Sequence, residues 1–234
     1  MEIYVMLSGK GGSGKTTLSV HLAVAAELSG KTVALIDLDP QGSAMAWGAS
    51  RSAATPVVVS ADAARLKAVL KTAASNGVEV AVIDTAPHTD ADVSAETPAS
   101  IAASVASLLI IPCRAAIFDL RAIAPTIRIA SQAEVPAMAV LNAVPSRGKR
   151  AAEARTALES YNIPCAPCQI GDRVAFVHAV TAGLTAQELQ PKSKAAAEVF
   201  SLYKYIQHHT GDNRNDEYNR FGNRTESDSE RDTP

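Results

Sequence analysis

The sequence predicts an α/β fold, in which a single domain is built on a mainly parallel, twisted sheet with helices on both faces. Short apolar runs rich in β-branched residues alternate with longer alanine-rich segments along most of the chain. The apolar runs are continuous rather than alternating, which is typical of strands buried on both faces. Alternating strands and helices favour right-handed βαβ units, and these units place neighbouring strands parallel.

The predicted elements follow one another in regular order. Strands are predicted at residues 3–7, 32–36, 56–59, 78–83, 108–111 and 137–141. Helices are predicted at residues 15–29, 62–75, 118–133, 149–161 and 192–208. Parallel sheets bind ligands at the carboxyl ends of their strands, so the residues that end or follow the strands form a first candidate site. They are Ser8, Asp37, Asp84, Pro112 and Asn142.

Composition limits the classes of function. With 47% hydrophobic and 20% charged residues among 234, the chain can build a substantial core, and wholesale disorder is excluded. A net charge of -2 excludes a global basic field that attracts nucleic acid, although a local basic patch remains open. Three cysteines are too few for a disulfide framework and favour a reducing environment. The sequence has neither a secretory signal nor a long apolar span, so we expect a cytoplasmic protein.

The residues after His208 differ from those before them. They contain almost no aliphatic side chains and carry four arginines against seven acidic residues. Such a segment cannot bury enough apolar surface to fold on its own. We therefore expect one folded domain at residues 1–208 and a disordered acidic tail at residues 209–234.

The strongest motif is the glycine-rich run GKGGSGKTT at residues 9–17, between a predicted strand and a predicted helix. It contains the G-x-x-x-x-G-K-[ST] pattern of a phosphate-binding loop. Backbone N–H groups of such a loop bind phosphate oxygens, Lys15 can reach the β- and γ-phosphates, and Thr16 can bind Mg²⁺. The alternative is an ordinary glycine-rich turn, which the flanking strand and helix disfavour. The predicted nucleotide-binding residues of this loop are Gly11, Gly12, Ser13, Gly14, Lys15, Thr16 and Thr17.

Two predicted strands end in aspartates. The run DLDPQG places Asp37 and Asp39 after one strand, and Asp84 ends another in the manner of a Walker B strand. Asp37 and Asp84 can hold the coordination shell of Mg²⁺, and Asp39 can orient or polarise an attacking water. The alternative for the first pair is turn or helix-cap chemistry before Pro40.

These motifs carry a family resemblance. The run KGGSGKTT at residues 10–17 matches K-G-G-x-G-K-[ST]-[ST], and the sequence resembles the deviant Walker A ATPases, which include ParA, Soj and MinD. DLDPQG at residues 37–42 is similar to switch I of this family, and DTAP at residues 84–87 to its switch II. The resemblance extends from residue 2 to about residue 207. It implies a P-loop NTPase fold, ATP and Mg²⁺ as cofactors, and a homodimer that sandwiches ATP.

The resemblance also implies roles for single residues. Lys10 would reach the ATP of the partner protomer and act in trans, much as an arginine finger does. Asn142 would bind the adenine edge, although Ala143 stands where the family often has arginine; a turn-starting asparagine before Pro145 is the alternative. The catalytic residues implied are Lys10, Lys15 and Asp39, and the metal ligands implied are Thr16, Asp37 and Asp84.

A cluster of basic residues offers a local patch for nucleic acid. Its first members, Arg147, Lys149, Arg150 and Arg155, are opposed only by Glu153. A solvated helix face is the alternative. ParA-type relatives bind DNA non-specifically as ATP dimers through basic residues of the C-terminal half, so the resemblance implies that role here. The patch can be extended by Arg173, Lys192, Lys194 and Lys204.

The resulting prediction is an ATP-dependent partition ATPase with a plasmid as the expected cargo. Other members of the family position protein assemblies, and the sequence does not separate these two kinds of cargo. By resemblance, its ATP dimer binds the nucleoid, and a ParB-like centromere-binding or adaptor protein stimulates slow hydrolysis and releases it. Because the first strand starts near residue 2, we expect the small class without an N-terminal helix-turn-helix domain. Two alternatives remain open: a membrane-associated positioning ATPase of the MinD kind, and a small-molecule ATP-dependent enzyme on the same scaffold.

Three further features are expected to be structural. Residues 192–208 have apolar side chains at helical spacing but no basic polar face, so we expect packing against the sheet and no stable membrane association. His88 is expected in a surface loop. Cys165 and Cys168 have the spacing of a redox or metal motif but lack further ligands, so we expect half-buried structural cysteines.

Overall fold

The computed structural model describes residues 1–89, 93, 96–116 and 122–212, and it confirms an α/β fold with an all-parallel sheet. The strands are β1 (Glu2–Met6), β2 (Val33–Asp37), β3 (Val57–Ser60), β4 (Val80–Asp84), β5 (Leu108–Arg114) and β6 (Ala137–Asn142). They form one sheet in the order β3-β2-β4-β1-β5-β6. Each predicted run forms a strand, because continuous apolar runs suit strands covered by helices on both faces.

Helices connect the strands and continue after the last one. They are α1 (Lys15–Leu28), α2 (Ser43–Ser50), α3 (Leu66–Ser75), α4 (Pro98–Ser104), α5 (Ala124–Gln132), α6 (Arg150–Glu159), α7 (Val174–Thr181), α8 (Ala186–Leu189) and α9 (Lys194–Asp212). The sequence does not predict α2, α4, α7 or α8, because helices of eight residues or fewer contain too few turns to show a period.

Two predicted boundaries fall partly outside the described residues. The predicted helix at residues 118–133 corresponds to α5, and residues 117–121 lie outside the described part of the chain. The last helix runs to Asp212 instead of His208, so it passes the predicted domain boundary. The predicted acidic tail lies outside the described residues from residue 213 onward.

The core lies on both faces of the sheet. One face is covered by α1 and α9, and the other by α3, α4 and α5. The apolar residues of α9 are buried against the first layer, as the sequence predicts: Val199, Leu202, Tyr203 and Ile206. None of the helices within the described residues is long and apolar enough to cross a membrane.

The strand order brings the loops after β1, β2 and β4 together. Because β4 lies between β1 and β2, Asp84 is in register with Met6 on one side and with Asp37 on the other. The carboxyl ends of parallel strands meet at one edge of the sheet. Beyond β6, Val144 exchanges hydrogen bonds with residues 170–172, so the C-terminal part of the chain reaches the same edge.

A candidate nucleotide-binding site at the carboxyl edge of the sheet

The loop between β1 and α1 has the geometry of an anion-binding loop. Gly12 and Gly14 have φ values of 71° and 93°, in the left-handed region that favours glycine. A Cβ atom on Gly11 or Gly12 would meet no atom within 4 Å, so this side of the loop is open. α1 starts at Lys15 with no acidic side chain in its first turn. The N–H groups at its start can therefore bind an anion.

Lys15 lies beneath this loop. It is 6% exposed, and its Nζ is 3.5 Å from the carbonyl oxygen of Ser8. Burial lowers the pKa of Lys15, while Asp84 and Asp39 act in the opposite direction. The hydroxyl of Ser13 is also buried and has no hydrogen-bond partner within the described residues. A phosphate group bound in the loop would supply a partner to both side chains.

Two buried aspartates stand side by side next to the loop. Asp37 on β2 and Asp84 on β4 are 1% and 0% exposed. Asp84 Oδ1 accepts a hydrogen bond from Ser19 Oγ at 3.1 Å, and the carboxylate also bonds to Thr16. Among the described residues, Asp84 Oδ2 has no partner. Burial raises the pKa of Asp84 to about 6, and the neighbouring Asp37 adds to this effect.

These oxygen groups fit a magnesium ion. Mg²⁺ prefers oxygen ligands and keeps several waters. Thr16, Asp37 and Asp84 offer only oxygen atoms as ligands. Asp37 lies in register with Asp84, and Thr16 bonds to the Asp84 carboxylate, so the three predicted metal ligands lie together at the sheet edge. A divalent cation would relieve the repulsion between the two buried carboxylates and give Asp84 Oδ2 a partner.

The segment after β2 is ordered by its own aspartates. Asp37 Oδ1 accepts a hydrogen bond from the backbone N–H of Asp39 at 3.0 Å, and Oδ2 from that of Met45 at 2.9 Å. Asp39 Oδ1 accepts from the backbone N–H of Gln41 at 2.9 Å. The turn chemistry given as the alternative is thus present. It holds Asp39 half-buried, near enough to Lys15 to oppose the lowering of the lysine pKa by burial.

Lys10 lies on the outer side of the same loop. Lys10 and the two glycines that follow it are exposed, whereas Lys15 is buried. The backbone N–H of Lys10 donates to Ser8 Oγ at 3.4 Å. The two lysines of the loop therefore have different environments. The role of Lys10 toward the nucleotide of a partner stays a prediction.

Asn142 supports the loop from below. It is 7% exposed, and its Nδ2 donates to the carbonyl oxygen of Ser13 at 2.8 Å. A Cβ atom on Gly14 would lie 2.0 Å from the same nitrogen and would displace Asn142, and the φ of 93° also favours glycine. Sequence analysis missed this contact, because Asn142 and Ser13 are 129 positions apart. The adenine contact implied by the resemblance stays a prediction.

His88 is buried, and the prediction of a surface-loop histidine is wrong. It is 4% exposed, and its Nε2 lies 2.9 Å from Oγ1 of Thr126 on α5. A Cβ atom on Gly9 would lie 3.0 Å from the carbonyl oxygen of His88. The chain after β4 therefore passes beneath the start of the phosphate loop, which no local sequence signal indicates.

The basic residues divide into exposed cations and cations bound within the fold. The exposed ones are Arg147, Lys149, Arg150, Lys192, Lys194 and Lys204. Arg155 instead donates from Nη1 to the carbonyl oxygen of Ala166 at 2.6 Å and from Nη2 to that of Pro167 at 3.0 Å. Arg173 forms an ion pair with Glu198 on α9, with its Nε at 2.9 Å. The structure thus separates the predicted DNA-binding residues by environment, and their contact with DNA stays a prediction.

The cysteines are free thiols. Cys165 and Cys168 are half-buried, as predicted, and burial raises the pKa of both. Cys113 is fully buried. In the part of the chain that the structure describes, no three His, Cys, Asp or Glu side chains are grouped to hold a metal ion.

Comparison with known proteins agrees with this geometry. A sequence profile described as the CobQ/CobB/MinD/ParA nucleotide binding domain matches residues 4–186, which is most of the chain. A comparison with curated proteins gives no match.

Solved structures share the fold at low sequence identity. The septum site-determining protein MinD of Pyrococcus horikoshii OT3, complexed with Mg-ADP, is 18% identical with a TM-score of 0.71, covering 90% of this chain and 97% of that one. A Borrelia burgdorferi B31 protein assigned to plasmid partition and bound to AMPPNP is 15% identical with a TM-score of 0.68, covering 89% and 99%. Cobyrinic acid a,c-diamide synthase of Mycobacterium smegmatis, bound to an ATP analog and magnesium, is 18% identical with a TM-score of 0.70, covering 92% and 97%. The likeness shows the fold, and these neighbours differ in what they do.

Proposed function

This chain belongs to the CobQ/CobB/MinD/ParA nucleotide-binding family, and we propose that it works as a ParA-type ATPase that binds ATP with Mg²⁺. The observation that carries the proposal is the pair of lysines on one phosphate loop. Lys15 is buried beneath the loop, and Lys10 is exposed on its outer side. One buried lysine is enough to bind the phosphates in the same protomer. Lys10, the second lysine, is exposed, so another copy of the chain can contact it.

The chain's own residues supply binding and orientation. The loop N–H groups, the start of α1 and Lys15 would bind the β- and γ-phosphates. Thr16, Asp37 and Asp84 would hold Mg²⁺, which draws negative charge from the phosphates when bound. Asp39 would orient the attacking water and accept its proton. Hydrolysis then breaks the bond between the γ-phosphorus and the bridging oxygen, with ADP as the leaving group.

The proposed dimer would make DNA binding depend on ATP. Lys10 of each protomer would contact the ATP of the other, so that dimerisation requires ATP. A dimer doubles the exposed basic surface, and non-specific affinity for duplex DNA rises with the number of phosphates contacted. The exposed cations at the start of α6 and α9 support this role. A ParB-like adaptor that stimulates slow hydrolysis would release the dimer from the nucleoid, and a plasmid is the proposed cargo.

The first test is binding to duplex DNA with ATP, with ADP and without nucleotide. We expect the wild type to bind with ATP only, and Lys10→Ala to bind at least about tenfold more weakly because its dimer does not form. Binding of a fluorescent ATP analogue should stay within about twofold, since Lys15 is unchanged. Lys31→Ala is the control, because it removes a surface lysine that pairs with Glu79 away from the loop.

Two outcomes would contradict this function. DNA binding that needs no ATP, or that Lys10→Ala leaves unchanged, would exclude a dimer gated by nucleotide. Absence of DNA binding in every nucleotide state would exclude the partition role. Sedimentation with anionic vesicles and ATP would then test the membrane-associated alternative, and ATP turnover without a protein activator would test the small-molecule enzyme.

A further inference from the structure

Residues 183–188, which we call the bridging segment, contact both α1 and α2. The segment starts after α7 and includes most of α8. A capping box fixes its conformation: the backbone N–H and Oγ1 of Thr185 both donate to Glu188 Oε2, at 2.7 and 2.9 Å. None of its residues belongs to the site described above. Its contacts nevertheless reach the two helices whose starts form that site.

The bridging segment holds α1 through His21, which is 0% exposed. The backbone N–H of Ala186 donates to His21 Nε2 at 3.1 Å, so Nε2 is the acceptor and the ring proton lies on Nδ1. Nδ1 therefore donates to the carbonyl oxygen of Thr17 at 2.7 Å. Gln187 Nε2 donates to the carbonyl oxygen of His21 at 2.8 Å. These bonds connect the segment to the first turns of α1, which carry the phosphate-binding residues.

The same segment holds the end of α2. Trp47 Nε1 donates to the carbonyl oxygen of Leu184 at 3.1 Å. Arg51 follows α2, and its 2% exposed side chain donates to both carboxylate oxygens of Glu188, at 2.8 and 3.1 Å, and to the carbonyl oxygen of Gly183. The guanidinium also lies 4.6 Å from the centroid of the Trp47 ring. A bidentate, stacked arginine of this kind holds its partner in one geometry.

α2 in turn contacts Asp37, the last residue of β2, whose carboxylate also binds Asp39. The backbone N–H of Met45 in its first turn donates to one oxygen of Asp37, and the N–H of Asp39 donates to the other. α2 has eight residues and no side-chain cap, so tertiary contacts must determine its place. A shift of α2 would therefore disturb the Asp37 carboxylate and move Asp39 relative to α1.

We propose that the bridging segment is a positioning element for ATP hydrolysis. Through Arg51, Trp47 and His21 it holds α2 against α1, so that Asp39 stays aligned with the phosphates bound by α1. The inference rests on the ATPase function proposed above. A displacement of about 1 Å can lower a catalytic rate about 100-fold. Loosening α2 should therefore lower kcat, while the phosphate loop preserves the affinity for ATP.

The test compares Arg51→Lys, Glu188→Gln and their combination with the wild type. Lysine keeps the positive charge but cannot make two parallel bonds to the carboxylate. We expect kcat to fall about tenfold in each single variant, with the Kd for ATP within about twofold. The kcat of the double variant should be no lower than that of the less active single variant, because both residues act through one ion pair. Lys31→Ala breaks an exposed ion pair and should leave kcat unchanged.

The melting temperature of each variant separates positioning from stability. Rates are measured well below the lowest Tm, so that every variant is folded. Wild-type kcat in the folded variants, or an equal loss of kcat and of ATP affinity, would overturn the proposal. If the Arg51 variants do not fold, Trp47→Phe decides, because it removes the bond to Leu184 while an aromatic ring remains beside Arg51, and it should lower kcat about fivefold. Absence of hydrolysis by the wild type would contradict the proposed function itself, which is a different result.

Discussion

Asn142 and Gly14 meet where β6 approaches the phosphate loop. Asn142 Nδ2 bonds to the carbonyl oxygen of Ser13 at 2.8 Å and leaves room only for glycine at position 14. The amide thus supports the turn in which Gly14 has a φ of 93°. Support of the loop favours any phosphate ligand, whereas a bond to adenine favours adenine nucleotides alone. The two roles of Asn142 can therefore be separated by the choice of ligand.

We expect Asn142→Ala to weaken the binding of ATP and of tripolyphosphate by a similar factor, about tenfold, because a buried carbonyl loses its donor. Titration calorimetry with both ligands measures the two changes. Asn76→Ala, at an exposed asparagine after α3, should bind both ligands as the wild type does. A loss confined to ATP would contradict the loop role and favour the adenine contact.

Single residues differ in how far the sequence can predict them. Asp37 and Asp84 could be predicted to lie together, because each ends an apolar run and parallel strands end at one edge. His88 could not, because its partner Thr126 is 38 positions away and no spacing encodes that contact. The contact of Asn142 with the phosphate loop spans a still greater distance in sequence.

Among the elements, α1 combines the phosphate-binding turn with a buried histidine. The ring of His21 lies edge-on to that of Phe176, with centroids 5.0 Å apart. Burial lowers the pKa of His21 to about 4, although the carbonyl of Thr17 and the carboxylate of Glu188 favour the charged form. The imidazole is therefore neutral in the folded protein near neutral pH.

This histidine should make the free energy of unfolding depend on pH. Its folded pKa of about 4 lies below the ordinary value of 6.5, so the unfolded chain binds more protons between these values. The stabilisation is complete above pH 6.5 and is lost as the pH falls toward 4, by roughly 3 kcal/mol. Urea unfolding measures this effect. Between about pH 7 and pH 5, the free energy of unfolding should fall more steeply for the wild type than for His21→Gln, whose side chain stays neutral. Parallel curves for the two proteins would contradict a buried neutral histidine.

The elements themselves were predicted unevenly. The strands and the longer helices follow from apolar runs and from their length. α2 has no capping side chain and contains Gly48, so its helix depends on tertiary contacts, among them the bond from Trp47 to Leu184 in the bridging segment. α8 is different, because TAQE at residues 185–188 is a capping-box pattern that the sequence displays. That signal could have located α8, but nothing local indicates that its glutamate binds Arg51.

Across the whole molecule, the basic residues of the C-terminal half fall into two groups: some bond within the fold, and others are exposed. Arg155 binds the backbone of residues 166–167 to α6, and Arg173 binds the start of α7 to Glu198 on α9. These bonds join neighbouring segments of the C-terminal part of the chain to one another. Lys149 and Arg150 are exposed at the start of α6. Composition cannot separate the two groups, because the separation depends on which carbonyl and carboxylate groups the fold brings near each cation.

The salt dependence of DNA binding should distinguish these two groups. Each phosphate that the protein neutralises contributes about 0.9 to the slope of log K against log salt. If the proposed ATP dimer forms, a double variant with Lys149→Ala and Arg150→Ala should therefore lower the slope by up to about 3.6, because each protomer loses two cations. Arg173→Ala should instead lower the free energy of unfolding, because Glu198 loses its partner, and should leave the slope unchanged. An equal loss of slope in Arg173→Ala would show that this arginine contacts DNA despite its ion pair with Glu198.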